Sequence, residues 1–188
     1  MASVLSLVFR GTDQKVWSSI ACYRSIEKEC RSCGFRSVPP VYPERYLRLL
    51  LLKNYTLENC WNLNFRNFIF KCTCGSENLK TRHKVEGTND YMLLVIDRSP
   101  EQPNVKLRKL NRDGVYRIAG QHWRMLAFSE DITVEKEGEG HYRSHVDCSA
   151  ASRHKGNWVC VDDNNVNQST VNPSDVIVNI IVLKKIEV

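Results

Sequence analysis

Short apolar runs bounded by polar and turn-forming residues recur through the second half of the sequence. Residues 91–96 form one such run between an Asn-Asp pair and a Ser-Pro pair, which is typical of a buried strand. Residues 157–161 and 176–183 show the same pattern, and the second of these runs is rich in β-branched residues. Residues 121–128 predict a further strand, and the turn-forming residues 111–114 precede it. This half of the chain is therefore predicted to be mainly β-structure.

Helical spacing is confined to the first third of the sequence. Residues 56–63 carry apolar side chains at helical spacing, and Thr56 is placed to act as the N-cap. Residues 43–53 fit either a helix or a strand. A length of 188 residues suits one domain with its own core better than two. We therefore predict a single β-rich α+β domain over residues 1–188.

Cysteine is the outlier of the composition, with eight residues in 188. The first residues have no basic lead-in and reach Arg10 after a brief apolar stretch, so they do not resemble a secretory signal. The longest aliphatic block, residues 49–52, is too short to span a bilayer. We therefore expect an intracellular protein, cytoplasmic or nuclear and without a membrane partner, whose reduced thiols favour metal binding over disulfides.

The formal net charge of +6 raises the question of an acidic partner such as nucleic acid. The densest basic cluster consists of Lys106, Arg108, Lys109 and Arg112. It has no interleaved aromatic residues to stack on bases, and the stretch 130–139 that follows is acidic. A solvated basic face is the simpler interpretation, so a zinc-containing β domain that binds nucleic acid is the weakest alternative.

Two cysteine pairs, each followed by glycine, predict a metal site. They are Cys30 and Cys33 before Gly34, and Cys72 and Cys74 before Gly75. Tetrahedral Zn²⁺ takes four thiolates, and two tight turns can supply two each while glycine relieves the backbone around the ion. Four unrelated thiols are the alternative, and the single residue between the second pair departs from the common two-residue spacing. We predict a structural zinc ion.

A histidine next to glycines carries the second candidate chemistry. His141 follows Gly138 and Gly140, and Asp162 and Asp163 come after the next apolar run. A histidine that acts as a base needs a carboxylate or amide to fix its tautomer and orientation. His141 precedes one predicted strand and Asp162 ends the next, so the two meet if these strands pair. An ordinary surface residue is the alternative, and it is the interpretation adopted for the remaining histidines, His83, His122, His145 and His154.

The order of these features resembles that of ubiquitin-specific proteases, papain-like cysteine peptidases that remove ubiquitin. In that family two cysteine knuckles form zinc-binding fingers, a strand like residues 91–98 enters the palm, and a Gly-His-Tyr box with a later Asp-Asp follows. The sequence has all three features in this order, within residues 5–186. The resemblance implies zinc-binding fingers at about residues 5–90, an antiparallel palm sheet at about residues 91–188, and ubiquitin or a ubiquitin-like modifier as partner.

The resemblance also implies a role for each residue of the histidine box. His141 is the general base for a cysteine nucleophile, Asp162 orients its ring, and Asp163 is an auxiliary polar group near the oxyanion. The channel for the Gly-Gly tail of ubiquitin is lined by Gly138, Gly140 and Tyr142. Glycine is needed in this channel because a side chain would fill it.

The nucleophile is the feature that does not match. The family places a Gly-Asn-x-Cys-Tyr box and a helical thumb before the first zinc knuckle, and we expect both to be missing from this sequence. Cys22 is the tempting candidate because Tyr23 follows it, but residues 18–20 provide no asparagine amide for an oxyanion hole. Only seven residues separate Cys22 from Cys30, so a structural thiol in the fingers is favoured. The other thiols are expected to be core or half-buried: Cys60, Cys148 and Cys160.

Two functions of different classes therefore stay open. The chain is either part of a deubiquitinase, active if Cys22 serves or a thumb is supplied from elsewhere, or a catalytically inactive module that binds ubiquitin.

Overall fold

Two β-sheets and one helix make up the part of the chain that the computed structural model describes, which comprises residues 22–37, 41–66, 68–86, 90–132, 140–148 and 158–187. The helix, α1, spans Leu57–Asn64. The strands are β1 (Cys22–Cys30), β2 (Arg36–Ser37), β3 (Tyr42–Glu44), β4 (Leu47–Leu51), β5 (Phe68–Phe70), β6 (Leu79–Glu86), β7 (Tyr91–Arg98), β8 (Val115–Ile118), β9 (Gln121–Asp131), β10 (Tyr142–Asp147), β11 (Trp158–Asp162), β12 (Asn165–Gln168) and β13 (Ile177–Ile186).

The smaller sheet is built around β1 and β6. Its strand order is β2-β1-β6-β5, and β3 pairs with the start of β1. β1 and β6 run antiparallel, with Tyr23 opposite Glu86 at one end and Cys30 opposite Leu79 at the other. The turn that follows β1 and the segment that precedes β6 therefore meet at the same end of this sheet.

The larger sheet has the strand order β12-β11-β10-β9-β13-β7-β4, and β8 pairs with the first part of β9. Neighbouring strands in it are antiparallel, except that β4 runs parallel to β7. β7 lies between β13 and β4 and its residues 92–96 are all buried, which explains why its sequence is a continuous apolar run. β4 lies at the sheet edge and alternates buried and exposed side chains.

Helix α1 packs against this edge strand. Thr56 caps the helix by accepting a hydrogen bond from the backbone N–H of Asn59 at 3.2 Å. Its last residue, Asn64, bonds both the N–H and the carbonyl of Leu50, at 2.8 and 3.1 Å. The side-chain amide thus satisfies backbone groups of β4 that another strand would otherwise pair. Leu57, Cys60 and Trp61 face the main core.

Most of the predicted elements are confirmed. The strand predictions for residues 91–96, 121–128 and 176–183 correspond to β7, β9 and β13, and the helix prediction corresponds to α1. For residues 43–53 the strand alternative is correct, since β3 and β4 lie there. The described part of the predicted run 157–161 belongs to β11. No helix among the described residues is long and apolar enough to cross a membrane.

Candidate functional site

Four cysteine thiols converge at the end of the smaller sheet where β1 finishes and β6 begins. Cys30 is the last residue of β1 and Cys33 lies in the turn after it, while Cys72 and Cys74 lie between β5 and β6. The four Sγ atoms are all within 4.8 Å of one another. The backbone turns back sharply at Gly34 and Gly75, with φ values of 73° and 90°, which glycine adopts without strain.

The distances between the thiols fit a zinc ion. Sγ of Cys30 lies 3.8 Å from that of Cys74, and Sγ of Cys33 lies 3.8 Å from that of Cys72. Four sulfurs placed tetrahedrally at about 2.3 Å from a central Zn²⁺ are about 3.8 Å apart. The separations are too long for disulfides, and all four cysteines are free. This cluster can therefore hold a metal ion, and its donor set suits Zn²⁺.

The electrostatics of the cluster favour at least one thiolate. Backbone N–H groups of Cys33 and Ser32 lower the pKa of Cys30 to about 6 against the effect of burial. At Cys33 the Phe35 N–H favours the thiolate, but hydrogen bonds with Cys74 and Cys30 outweigh it and raise the pKa to about 12. Thiols this close cannot all ionise without a cation between them, so a metal ion would relieve their mutual repulsion.

The second cluster lies where β10 begins and β11 ends. β10 and β11 are antiparallel, with Ser144 opposite Val161, so His141 just before β10 lies near Asp162 at the end of β11. Nε2 of His141 is 2.5 Å from Oδ1 of Asp162. Both side chains are partly exposed, and the nearby Asp163 is exposed in the turn after β11. The structure thus brings together all three residues that the sequence singled out here.

The hydrogen bond to Asp162 determines which ring nitrogen of His141 is available. A carboxylate only accepts hydrogen bonds, so Nε2 carries the proton and Nδ1 is the basic nitrogen of the neutral ring. Within the described part of the chain, Nδ1 of His141 has no hydrogen-bond partner. The carbonyl of His141 accepts a 3.0 Å bond from the N–H of Ile132, which fixes the backbone at this point. The ring can therefore accept a proton from a group placed beside Nδ1.

Asp162 has a second partner that the sequence analysis did not identify. Nε of Arg143 donates a 2.9 Å hydrogen bond to Oδ2 of Asp162. The hydrogen bonds from His141 and then from Arg143 lower the pKa of Asp162. Asp162 is thus held as a carboxylate with one oxygen on the histidine and the other on the arginine.

A buried polar network is centred on His145, which lies on β10 together with Arg143. His145 is 0% exposed, its Nε2 is 2.9 Å from Oε2 of Glu130, and its Nδ1 is 2.7 Å from Oγ of Ser169. The ring stacks on Phe128 with centroids 4.5 Å apart. The interpretation of His145 as an ordinary surface residue is therefore wrong. His83 and His122 are half-buried, and His154 lies outside the described residues.

No cysteine of the described residues is hydrogen-bonded to His141. Cys22 is buried at the start of β1, and its Sγ lies 3.4 Å from the carbonyl oxygen of Glu44. Burial raises the pKa of Cys22 to about 11, the opposite of what an activated thiolate needs. Cys60 is buried in the core, whereas Cys148 and Cys160 are half-buried, as the sequence indicated.

The residues next to His141 on its exposed side are only partly described. Gly140 is exposed and directly precedes His141, while Tyr142 opens β10 and is 41% exposed. Burial, together with the charge of Asp131, raises the pKa of Tyr142. Gly138 lies outside the described residues.

No protein-family model matches the sequence, and no curated protein is significantly similar to it. Solved structures, however, share its fold. A yeast SAGA DUB module with a mutant Sgf73 matches with a TM-score of 0.70 and 12% identity, over 100% of this chain and 46% of that chain. The fold is that of a ubiquitin-specific protease domain.

Two further structures of the same kind carry ubiquitin. The SAGA DUB module Ubp8/Sgf11/Sus1/Sgf73 bound to monoubiquitin matches with a TM-score of 0.67 and 13% identity, over 99% of this chain and 45% of that chain. The same module bound to ubiquitin aldehyde matches with a TM-score of 0.63 and 14% identity, over 99% and 46%. The protein therefore spans less than half the length of these chains. Identities this low establish the fold alone.

Proposed function

We propose that this chain is the fingers-and-palm portion of a ubiquitin-specific-protease-like deubiquitinase domain, and that it binds ubiquitin or a ubiquitin-like modifier. The observation that carries the proposal is the His141–Asp162 pair on a palm-like sheet, in a fold whose solved relatives hold monoubiquitin and ubiquitin aldehyde. In this proposal the smaller sheet is the fingers, and the larger sheet, which includes β4 from the first part of the chain, is the palm. The four-cysteine cluster braces the fingers through zinc.

Each residue of the histidine box has a role in this proposal. His141 takes the proton of a cysteine thiol through Nδ1, Asp162 fixes the ring by accepting from Nε2, and Asp163 adds a polar group near the oxyanion. The Gly-Gly tail of the modifier passes along the channel formed by Gly138, Gly140 and Tyr142. The orientation of the His141 ring supports these roles, because Nε2 is the nitrogen bonded to Asp162 and Nδ1 has no hydrogen-bond partner among the described residues.

The reaction needs a thiolate beside Nδ1 of His141, and this is where the two open functions differ. Cys22 would have to leave the core and lose its proton. Its packing in the core opposes the first change, and its raised pKa opposes the second. The described residues therefore favour binding without cleavage over an active protease, unless a cysteine box is supplied from elsewhere. An intracellular location, cytoplasmic or nuclear, belongs to the same proposal because zinc thiolates need a reducing compartment.

Titration of ¹⁵N-labelled ubiquitin with this protein tests the binding. We expect saturable shifts in the ubiquitin spectrum, and weaker binding of ubiquitin that lacks its two C-terminal glycines, because the channel residues lose their ligand. Shifts absent up to about 1 mM protein, a binding free energy weaker than about −4 kcal/mol, would contradict the proposal.

A ubiquitin probe with a C-terminal electrophile separates the two functions. We expect no covalent adduct with the isolated chain. An adduct that forms on the wild type and is lost in Cys22→Ser would instead identify Cys22 as the nucleophile and make the chain an active protease.

A further inference from the structure

Three charged side chains on neighbouring strands of the larger sheet, Glu130, Arg143 and Asp162, form a row next to His141. Glu130 of β9 is the cross-strand partner of Arg143 of β10. Ser144, the residue after Arg143, lies opposite Val161, and Val161 directly precedes Asp162 at the end of β11. Directly opposed residues point to the same face of a sheet. Arg143 therefore lies between two carboxylates, one on each neighbouring strand.

The carboxylate on the outer side is the one that holds His141. Arg143 contacts Oδ2 at 2.9 Å, and His141 contacts Oδ1 at 2.5 Å. A carboxylate with only one oxygen held can rotate about its Cβ–Cγ bond, whereas one held at both oxygens cannot. Because the Nε donor of an arginine is part of a rigid plane, it fixes direction as well as distance.

The carboxylate on the inner side is itself fixed. Glu130 is 7% exposed, and its Oε2 accepts a 2.9 Å bond from the fully buried His145, whose other nitrogen contacts Ser169. The negative charge of Glu130 favours the cationic state of Arg143, in addition to the stronger effect of Asp162. Arg143 thus lies between the buried Glu130 on one side and the partly exposed Asp162, to which it is hydrogen-bonded, on the other.

We propose that Arg143 is a positioning residue, which holds the Asp162 carboxylate by its second oxygen so that the first stays in line with Nε2 of His141. The proposal rests on the proposed function only in treating His141 as the base. By fixing Asp162, Arg143 also determines the tautomer of the neutral histidine, with the proton on Nε2 and the lone pair on Nδ1. Among the residues that the structure describes, the charged groups around the His141–Asp162 pair are Asp163 in the turn after β11, Arg143 on β10, and Glu130 and Asp131 on β9.

Ring ¹⁵N NMR of the histidines tests this assignment without substrate or nucleophile. In the wild type we expect neutral His141 to be almost entirely the Nε2–H tautomer. In Arg143→Met the population of the Nδ1–H tautomer should rise several-fold, and the acid titration of the Asp162 carboxyl should move up towards its ordinary range. Arg143→Lys keeps the charge but loses the planar donor. The acid titration of Asp162 in this variant should therefore be close to that of the wild type, whereas its tautomer ratio should lie between those of the wild type and Arg143→Met.

Arg124→Met is the matched control. Arg124 of β9 pairs with Asp147 at 3.7 Å, at the opposite end of β10 from His141, so its loss should leave both readouts unchanged. Wild-type tautomer ratio and titration in Arg143→Met would overturn the proposal. Failure of both Arg143 variants to fold would also contradict it, because a positioning side chain that is 31% exposed should not be needed for folding. A chain that does not bind ubiquitin would leave these readouts intact, so the two proposals can fail separately.

Discussion

Replacing His145 by phenylalanine should destabilise the fold by about 3–5 kcal/mol, because it removes two hydrogen bonds from a fully buried site. Phenylalanine keeps the ring that stacks on Phe128, with centroids 4.5 Å apart, so the loss of packing is small. It leaves the Glu130 carboxylate and the Ser169 hydroxyl without the partners they have at 2.9 and 2.7 Å. An unsatisfied buried polar group costs about 1–3 kcal/mol, and a charged group costs more.

Urea unfolding of the zinc-loaded protein measures this difference, provided that the m-value stays unchanged. The matched control is His122→Phe, which changes a half-buried histidine on β9 that has no hydrogen bond to another described residue. It should cost less than about 1 kcal/mol. Adding Glu130→Gln to His145→Phe should recover part of the loss, because a neutral amide is cheaper to bury than a carboxylate. A loss below about 1 kcal/mol in His145→Phe would refute the reasoning.

Three further predictions concern the metal, the contested thiol and pH. Metal analysis should find about one zinc ion per chain and almost none in Cys72→Ser, and a wild-type protein without zinc would contradict the cluster assignment. At pH 7 iodoacetamide should modify the half-buried Cys148 well before Cys22, because a pKa of about 11 keeps Cys22 protonated. Faster modification of Cys22 than of Cys148, measured by mass spectrometry, would contradict this prediction. Asp162 has a lowered pKa in the folded state, so its stabilising effect is present above its unfolded pKa of about 4 and is lost as pH falls through the folded value. Unfolding curves of Asp162→Asn should therefore depend less on pH below about 4 than those of the wild type, and identical pH dependence would count against the contact.

The strands of the larger sheet could be predicted because burial imposes its own pattern on them. Residues 92–96 are buried on both faces of the interior strand β7, and this position requires a continuous apolar run. The strands β1 and β6 of the smaller sheet have no such apolar run in their sequences. β1 and β6 carry charged side chains such as Glu27 and Lys84, which form a 2.7 Å ion pair across the strands. Strands stabilised by such ion pairs show neither apolar runs nor clean alternation of apolar and polar residues. They can therefore be identified only once their pairing is known.

The metal cluster could be predicted for a different reason, because most of its geometry is local. Each cysteine pair lies within one turn, and the glycine that follows each pair has positive φ, as the sequence suggested. What the sequence could not provide is the long-range step that brings Cys30 to Cys74, 44 residues later. That step is made by the antiparallel register of β1 with β6, in a sheet that the pattern did not predict.

The contact of Arg143 with Asp162 and the buried network around His145 could not be predicted from the sequence. Both depend on which face of the sheet each residue of β10 occupies. Arg143 and His145 are alternate residues of β10, so once β10 is known to be a strand they must share one face, and His141 directly precedes this strand. The type of each residue was visible from the start, but its partner was not: Glu130 lies 15 residues before His145, and Ser169 lies 24 residues after it. Because Glu130 lies on the neighbouring strand β9 and Ser169 follows β12, a one-residue slip of β10 would turn Arg143 and His145 to the other face, away from these partners. The candidate site therefore depends on the register of β10 with β9 and β11. Variants that weaken the buried network around His145 should change the position of the Asp162 carboxylate, through Arg143, before they change the geometry of the zinc cluster.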